Sequence, residues 1–398
     1  MKKILILSTR VPYPLIDGVR IRIYNTAKYL SRHYTVDLLC LSDTDYDPRA
    51  QKELEKVFRA VRIIRISRFA SGLACAKSLV NGKPLQVNYF YRGHFARVVE
   101  ACAAEYDLVI ANHVRTTEFV KDLPIKKIVD LHDSLALHYG RAMKMEASWK
   151  KPAVKFEHDK VKSYEVEMLK TFDHGLVVSD IDRDYLIDNG APEAKISTLP
   201  VAVRDDIVVD EAESEELSVS FLGKMAYHPN VDAVLWFAEE VLPDLLKRHP
   251  QLKFYIVGAT PAGVVQRLHD GKNIIVTGFL ENPFEVIQRS SLMVAPVRLG
   301  AGLQNKVLEA MSIGKAVVTT PIGAEGIGGQ DGVHYRIADH ASDFGNVVSE
   351  LLQRPKDREV IGDAARSYIA DHFTWERIAK RYVAIIQSVL GSSTSERR

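Results

Sequence analysis

The stretch that decides the fold is APVRLGAGLQNKVLEAMSIGKAVVTTP, residues 295–321. An apolar strand leads into it, the glycines at 300 and 302 permit a tight turn, and an amphipathic helix begins near Leu303. The N–H groups and the positive dipole end of such a helix start favour an anion, so we predict a diphosphate there. Lys306 lies on the first helical turn. Glu309 follows one turn later on the same face, where its carboxylate suits a ribose diol.

This stretch has two other interpretations. The glycines could simply build a turn, with Lys306 and Glu309 as an ordinary helical pair. Gly300-Ala301-Gly302 also begins the dinucleotide fingerprint GxGxxG, but Asn305 stands where the third glycine belongs. The next strand ends in two threonines, without an acid for a ribose. We therefore expect no nicotinamide cofactor, and no cofactor of any kind.

Around this stretch, short apolar strands alternate with amphipathic helices, which is typical of a parallel sheet covered on both faces. In the first half, strands are predicted at 4–8, 36–41, 61–66, 108–111, 128–131 and 176–179, and helices at 18–33, 48–59, 92–105 and across 135–171. In the second half, strands are predicted at 218–222, 253–257, 273–277, 291–295, 316–320 and 333–337, and helices at about 230–248, 261–270, 282–289, 303–313, 340–353 and 356–373.

A segment dense in acidic residues, 200–217, separates the two halves and is predicted to be the domain linker. The length of 398 residues also favours two domains over one core. The fold class is therefore α/β, with two doubly wound, Rossmann-like parallel-sheet domains whose carboxyl strand ends face each other across a cleft. Such a cleft suits two substrates.

Composition excludes several classes of protein. The chain is 46% hydrophobic and 26% charged with a mean hydropathy of −0.08, values of a soluble globular protein. Its three cysteines lack the spacing of a disulfide framework or a zinc site. No apolar run has the length of a signal peptide or a membrane span, so we predict a cytoplasmic protein. Net charge is +2, with the basic excess in the first half and too mild to indicate nucleic acid.

The stretch 291–327 resembles the donor-binding region of retaining glycosyltransferases with the GT-B fold, specifically the large bacterial family four. The resemblance covers nearly the whole chain. LSTRVPYPLIDGVR (7–20) is similar to that family's first strand and glycine loop with Gly18, and SFLGKM (220–225) to the first strand of its second domain with Gly223 and Lys224. VTGFL (276–280), containing Gly278, Phe279 and Leu280, resembles its base-binding loop. FTWERIA (373–379) resembles its final helix.

The resemblance implies an acceptor-binding domain over 1–202, a nucleotide-sugar-binding domain over 203–373, and a helix over 374–398 that crosses back to the first domain. It also implies that the donor is held by the loop Gly300, Ala301, Gly302, Leu303, Gln304 and Asn305 together with Glu309. Two departures stand out. Ala301 replaces the first glutamate of the family's usual pair, and Asn230 replaces a lysine that usually grips the diphosphate with Lys224. Lys306 is the candidate for that missing charge.

Polar residues end two strands of the first domain. His113 follows the strand at 108–111, and His132 with Asp133 follows the strand at 128–131, so these side chains are predicted to face the cleft. The family often has a histidine after the first of these strands, and Asn112 stands at the commonest spacing. Which of Asn112 and His113 points inward is left open. For either strand, an ordinary loop residue is the alternative to a catalytic role.

Asp43-Thr44-Asp45 has the carboxylate spacing that holds a divalent metal in another glycosyltransferase architecture. It lies in an acidic turn, so a solvated turn is the favoured interpretation. GT-B enzymes generally need no metal because lysines and a helix terminus neutralise the leaving diphosphate. We therefore predict no metal site.

The predicted reaction is retaining transfer of a sugar from a nucleotide-diphosphate donor to a saccharide or lipid-linked acceptor, in surface polysaccharide or glycolipid synthesis. The alternatives are a nucleotide-sugar epimerase of the same fold and a catalytically degenerate partner subunit. The lysine-rich segment 138–162, which includes Trp149 and Phe156, is either a solvated helix face or a contact with an anionic membrane.

Overall fold

The computed structural model describes residues 1–15, 18–145, 151–205, 207, 215–299 and 302–391. The chain divides into two compact units, Met1–Ala202 with Trp375–Arg398, and Val203–Thr374. Each unit contains a parallel sheet.

Unit 1 contains a seven-stranded sheet in the order β3-β2-β1-β4-β5-β6-β7. Its strands are β1 (Lys3–Ser8), β2 (Thr35–Ser42), β3 (Ala60–Arg65), β4 (Leu108–Asn112), β5 (Lys126–His132), β6 (His174–Val177) and β7 (Ile196–Thr198). Its first nine helices are α1 (Gly18–Leu30), α2 (Ala50–Leu54), α3 (Arg68–Cys75), α4 (Ser78–Asn81), α5 (Leu85–Phe90), α6 (Gly93–Ala103), α7 (Leu135–Met145), α8 (Lys151–Thr171) and α9 (Asp180–Asp188). Short 3₁₀ turns occupy Val114–Phe119 and Glu193–Lys195.

Unit 2 contains a six-stranded sheet in the order β10-β9-β8-β11-β12-β13. Its strands are β8 (Glu215–Leu222), β9 (Lys253–Val257), β10 (Ile274–Gly278), β11 (Ser290–Ala295), β12 (Val317–Thr319) and β13 (Arg336–Ile337). Its helices are α10 (His228–Trp236), α11 (Leu242–Arg248), α12 (Gly263–Gln266), α13 (Phe284–Arg289), α14 (Asn305–Ser312), α15 (Pro321–Ala324), α16 (Ala341–Gln353) and α17 (Pro355–His372). A π-helical turn, Phe237–Val241, joins α10 to α11.

The alternation of side chains along each strand explains why both faces of each sheet are covered. In β1, Ile4 and Ile6 belong to one apolar cluster, while Leu5 and Leu7 belong to the cluster on the other face. Since successive side chains of a strand point to opposite faces, a continuous apolar strand needs a helical layer on each side. The final helix, α18 (Trp375–Gly391), joins the first of these clusters, so the end of the chain completes the core of unit 1.

Several predicted element boundaries were wrong. Helix α2 covers only Ala50–Leu54 of the predicted 48–59, and α12 covers only Gly263–Gln266 of 261–270. The stretch 135–171 holds two helices, α7 and α8, with residues 146–150 outside the described part. Strand β8 begins at Glu215, inside the predicted linker, because the Glu215 carboxylate accepts a hydrogen bond from Tyr255 and pairs with Lys253 at 2.6 Å. The rest of that linker lies mostly outside the described residues.

Candidate functional site

The strand order of unit 2 reverses direction at β8. The chain runs from β8 outward through β9 to β10 and then crosses to β11 on the other side, so the carboxyl ends of β8 and β11 flank a topological switch point. Ligands of open parallel sheets bind at such points. Residues 223–227 follow β8, and residues 296–299 and 302–304 follow β11, so the described part of the predicted diphosphate loop lies at this position in the sheet.

The loop after β8 packs closely against its neighbours. A Cβ atom on Gly223 would lie 2.6 Å from the Asn230 side-chain nitrogen, and one on Gly258 would lie 1.8 Å from the carbonyl oxygen of Gly223. Gly258 also has a φ of 152°, which L side chains rarely adopt. These glycines allow the loops after β8 and β9 to approach each other more closely than any side chain would permit.

A chain of hydrogen bonds joins the end of β8 to the first turn of α14. The Asn230 side-chain amide donates to the Lys224 carbonyl oxygen at 3.0 Å, and the Asn230 Oδ1 accepts from the Lys306 ammonium at 2.8 Å. Lys306 also donates to the Gln304 Oε1 at 3.2 Å, and it lies 5.3 Å from the centre of the Phe221 ring. Lys306 therefore lies beside Asn230, where the resemblance places a lysine, and the two residues are directly bonded.

The environment of Lys306 disfavours the charged form of its side chain. Burial lowers the pKa of its ammonium to about 8, and the negative charge of Glu309 partly opposes this effect. The two amide oxygens that bind the ammonium carry no full charge. A diphosphate placed next to Lys306 would therefore add a full negative charge beside this half-buried cation.

The beginning of the loop after β11 is held by side-chain bonds. Arg298 forms a two-point ion pair with Asp232 on α10, with N–O distances of 2.7 and 3.1 Å. Thr319 donates to the Ala295 carbonyl oxygen at 2.8 Å, and Thr320 donates to that of Val297. Bonds of this kind limit the movement of the loop, which is a requirement for a preorganised anion site.

Further along the loop, Gly302 is buried and has a φ of 81°, a conformation that favours glycine. Leu303, Gln304 and Asn305 lead into α14, which begins at Asn305, two residues after the predicted start. Glu309 is half-buried on the same helix face as Lys306. The predicted contacts of Gly300 and Ala301 lie outside the described residues.

The predicted base-binding loop follows β10. Gly278 ends that strand with a φ of 69°, and a side chain there would meet nothing within 4 Å. Phe279 is 74% exposed, and Leu280 packs against an apolar cluster of unit 2. An exposed aromatic ring beside an open glycine provides a flat surface on which a base could stack.

In unit 1, His113 follows β4 and His132 ends β5, with left-handed φ values of 67° and 65°. Such values are uncommon for residues other than glycine and are often found at functional positions. Burial and the nearby charge of Arg115 lower the pKa of His113 well below its usual value, and burial lowers that of His132 to about 4. The His113 Nδ1 and the His132 Nε2 are buried without a hydrogen-bond partner. Both imidazoles are therefore neutral near pH 7, and each has a buried ring nitrogen that makes no hydrogen bond within the described residues.

The next residue, Asp133, is also perturbed. Burial and the Asp182 carboxylate raise its pKa to about 7. Two carboxylates bind the backbone directly after Asp133. Asp182 accepts a 2.9 Å bond from the Ser134 N–H, and Glu165 accepts a 2.8 Å bond from the Leu135 N–H at the start of α7. Acidic side chains thus fix the backbone that follows His132 and Asp133.

Asn112 occupies a different environment from His113. It is 5% exposed and lines a small internal cavity together with Arg22, Asp130 and Tyr382. Arg22 and Asp130 form a buried two-point ion pair with both N–O distances at 3.1 Å. The structure thus places Asn112 at this internal cluster, whereas His113 begins the turn after β4.

Gly18 is the first residue of α1, directly after two residues outside the described part.

Asp43 and Asp45 bind other side chains. Asp43 accepts a bond from the Tyr89 hydroxyl at 2.9 Å, and Asp45 pairs with Arg65 at 3.2 Å. Within the described residues, no group of three or more His, Cys, Asp or Glu side chains could hold a metal ion.

Sequence reasoning missed the bridging role of Asn230, which it treated only as a lost lysine. It also missed Arg115 and Glu165. Arg115 lies two residues after His113, a spacing that could have drawn attention to it. Glu165 lies in the middle of α8, and nothing in its local sequence marks it, because its contacts with Ser134 and Leu135 depend on the tertiary fold.

Comparisons with known proteins bear on the family and the fold of the chain. The family model for glycosyltransferase family 4 matches residues 16–206, and the model for glycosyl transferases group 1 matches residues 216–354. An uncharacterised 44.6 kDa protein in the cps region of Klebsiella pneumoniae is 24% identical over 397 residues, covering 95% of this chain and 98% of that protein.

Two solved structures share the fold over nearly the whole chain. Sucrose-phosphate synthase from Thermosynechococcus elongatus superimposes with a TM-score of 0.71 at 15% identity, covering 99% of this chain and 100% of that one. Anabaena Alr3699/HepE, solved in complex with UDP and glucose, gives a TM-score of 0.67 at 15% identity, covering 98% and 100%. The two family models lie on either side of the division between the units, and the chain belongs to the family-four glycosyltransferases with the GT-B fold.

Proposed function

We propose that the chain transfers a sugar from a nucleotide-diphosphate donor to an acceptor hydroxyl, with retention of configuration at the anomeric carbon. The observation that carries this proposal is the hydrogen-bonded chain from the Lys224 carbonyl through Asn230 to Lys306, at the switch point of unit 2. It brings a partly desolvated cation to the N-terminal turn of α14, where a leaving diphosphate develops charge. The nucleotide sugar then belongs to residues 203–373 and the acceptor to residues 1–202.

The proposed chemistry divides the charge between several groups. Lys224, Lys306 and the backbone amides at the start of α14 stabilise the departing diphosphate, and Glu309 binds the ribose. A diphosphate oxygen takes the proton of the acceptor hydroxyl, so no carboxylate nucleophile and no metal are required. In unit 1, neutral His113 and His132 with Asp133 bind and orient sugar hydroxyls. UDP bound to the Anabaena protein supports the choice of a nucleotide donor.

The proposed acceptor is a growing surface saccharide on a lipid carrier or lipid core, which places the protein on the cytoplasmic side of a membrane. The family resemblance and the cps region named for the Klebsiella relative support this choice. None of the helices in the described part of the chain has both the length and the apolar character needed to cross a membrane. Contact with the lipid would accordingly be peripheral.

A panel of nucleotide sugars, incubated with the protein and EDTA, tests the proposal. We expect one donor to be consumed by transfer or slow hydrolysis, and NMR of the product to show the donor's anomeric configuration. An epimerised nucleotide sugar would indicate the epimerase, and the absence of nucleotide binding would indicate a degenerate partner subunit. An inverted product would contradict retention, and activity restored only by magnesium or manganese would contradict the metal-independent reaction.

A further inference from the structure

Helices α3 and α4 present apolar side chains to solvent. Phe69 and Leu73 lie four residues apart on one face of α3, and Phe69 is 79% exposed. Leu79 and Val80 on α4 are similarly open, with Val80 at 91%. Together, these four residues form what we name the α3–α4 face. An exposed apolar group of this kind marks an interaction site, whereas single exposed apolar residues do not.

The inward side of the same helices is polar. Ser71 and Ser78 are fully buried, and they accept hydrogen bonds from Arg92 and from the Asn88 side-chain nitrogen. Asn81 on α4 donates to the Asn88 Oδ1 at 2.9 Å. A surface helix of a globular protein ordinarily buries its apolar stripe and exposes its polar one. Here the arrangement is reversed, so the apolar side chains of α3 and α4 contribute little to the core of unit 1.

Helix α8 continues this surface. Lys160 donates to the Ser78 carbonyl oxygen and lies 3.9 Å from the centre of the half-exposed Phe156 ring. The Leu85 N–H donates to the Glu157 Oε1 at 2.8 Å, which fixes the start of α5 against the same helix. The end of the segment 138–162, for which the sequence left a solvated helix face and a membrane contact as alternatives, is therefore adjacent to the α3–α4 face.

Residues 56–99, which include the α3–α4 face, form a basic stretch of sequence, although Lys56, Arg59, Arg65 and Lys83 pair with acidic side chains from outside it. No aspartate or glutamate occurs from residue 56 to residue 99, whereas this stretch contains nine lysines and arginines. Arg68 and Lys77, which precede and follow Leu73 in the sequence, are exposed, and so are Lys151 and Lys155 on α8, where Lys155 pairs with Asp159 at 2.8 Å. Exposed apolar and basic side chains on the same helices are the features that bind a helix to the surface of an anionic bilayer.

We propose that the α3–α4 face inserts into the headgroup region of an anionic membrane leaflet, with Arg68, Lys77 and the exposed lysines of α8 binding the lipid headgroups. This inference rests on exposure and charge alone and does not depend on the proposed transferase function. One consequence does depend on it. Helix α5 packs against α3, and Gln86 on α5 accepts a 2.7 Å bond from Arg115, which lies near His113, so α5 connects the helices of the inserted surface to the proposed acceptor residues.

The test is flotation of the full chain with vesicles of phosphatidylcholine, with or without about one third phosphatidylglycerol. We expect binding to the anionic vesicles that weakens several-fold when salt rises from about 0.05 M to about 0.5 M, because salt screens exposed charges. The double substitutions Phe69→Ser with Leu73→Ser and Leu79→Ser with Val80→Ser should each weaken binding at least about tenfold. The matched control is Val360→Ser, since Val360 is 68% exposed on α17 of unit 2.

A second readout reports insertion directly. Tryptophan placed by Val80→Trp should shift its emission to shorter wavelength when anionic vesicles are added, and tryptophan placed by Val360→Trp should not. Thermal unfolding checks that each variant remains folded, as we expect because the replaced side chains are exposed.

Three results would overturn the proposal. The first is a protein that does not float with anionic vesicles at low salt. The second is binding that survives both serine pairs but is abolished by Lys151→Gln with Lys155→Gln, which would assign the contact to α8 alone. The third is a dimer in sedimentation that Leu73→Ser dissociates, without vesicle binding, which would assign the α3–α4 face to a second copy of the chain.

Discussion

We expect a lysine at position 230 to replace part of the positive charge that Lys306 supplies. Because the two side chains are bonded at 2.8 Å, a lysine at 230 would bring its ammonium close to the position that the Lys306 ammonium leaves. We expect Lys306→Ala to lower turnover about 100-fold, mostly in kcat, since charge on the diphosphate grows as the bond breaks. Adding Asn230→Lys to that variant should restore at least about tenfold. Steady-state kinetics measure both effects.

Lys356→Ala, on the exposed surface of α17, is the control for this exchange. Turnover unchanged by Lys306→Ala would remove Lys306 from the reaction. Loss without any recovery in the double variant would mean that the position of the charge on α14 is essential, not its presence near the diphosphate.

Glu309 is the proposed ribose ligand. Replacing it with alanine removes a hydrogen bond to a charged acceptor, so binding of the nucleoside diphosphate should weaken by about 1.5–3 kcal/mol. Titration calorimetry with the nucleotide identified by the donor panel measures this loss. The exposed Glu359→Ala on α17 serves as the control, and unchanged affinity in Glu309→Ala would exclude the assignment.

Asp133 connects the candidate site to stability. Its pKa rises from 3.8 to about 7 on folding, so between these values the folded chain binds a proton that the unfolded chain has lost. Its contribution to the free energy of unfolding therefore falls as pH rises through this window. Asp133→Asn should stabilise the protein by about 1–3 kcal/mol at pH near 8, with the difference vanishing near pH 4.

Urea unfolding of this variant and its parent at several pH values measures the effect. Comparing the two proteins at each pH cancels the opposite contribution of His132, whose lowered pKa makes stability rise with pH between about 4 and 6.5. The exposed Asp188→Asn is the control. A stability difference that does not change with pH would contradict the prediction.

Among the structural elements, the loops after β8 and β9 depend on their glycines. A methyl group at 258 would lie 1.8 Å from the Gly223 carbonyl oxygen, and backbone cannot yield as a side chain can. Gly258→Ala should therefore lower the free energy of unfolding by about 3 kcal/mol or more. Gly332→Ala is the matched control, because it has a φ of 78° but nothing within 4 Å of the added carbon. Equal losses in denaturant unfolding would show that backbone strain, and not the close approach, is what Gly258 relieves.

Sequence patterns predicted the long elements better than the short ones. Strands such as β1 and β11 are continuous apolar runs bounded by polar residues, so period and composition identify them without tertiary information. Helices α3, α4 and α5 were not predicted. The apolar stripe of α3 faces solvent, and α4 is held by the side-chain bonds of Asn88. Hydrophobic periodicity therefore does not predict how these helices pack.

The candidate site shows the same division. Lys306 and Glu309 could be selected because they share a short helix with a glycine loop, a purely local relation. The bond between Lys306 and Asn230 spans 76 residues and depends on β8 and β11 being neighbours in the sheet. Strand neighbours are fixed by tertiary packing, and one sequence without a structure does not specify which side chains a given pair of strands brings together.

At the scale of the chain, unit 1 is built from both ends of the sequence. The chain leaves this unit after Ala202 and returns at Trp375, and α18 buries Tyr382 and Ile386 in the cluster that also contains Ile23 and Ala27 of α1. Removal of α18 would expose that cluster. We therefore expect the stability of unit 1, unlike that of unit 2, to require the last helix.

A stop codon after Thr374 tests this dependence. The truncated chain should show unit 1 unfolded or melting far below the intact protein, while proteolysis leaves a resistant fragment from unit 2. Ile386→Ala is a milder form of the same change and should cost about 2–5 kcal/mol, because Ile386 is fully buried. A stop after Gly391, which removes only residues 392–398, is the control and should shift stability by less than about 0.5 kcal/mol. If the chain that ends at Thr374 melts like the intact protein in calorimetry, α18 does not stabilise unit 1, and the contacts of Tyr382 and Ile386 contribute nothing measurable to its core.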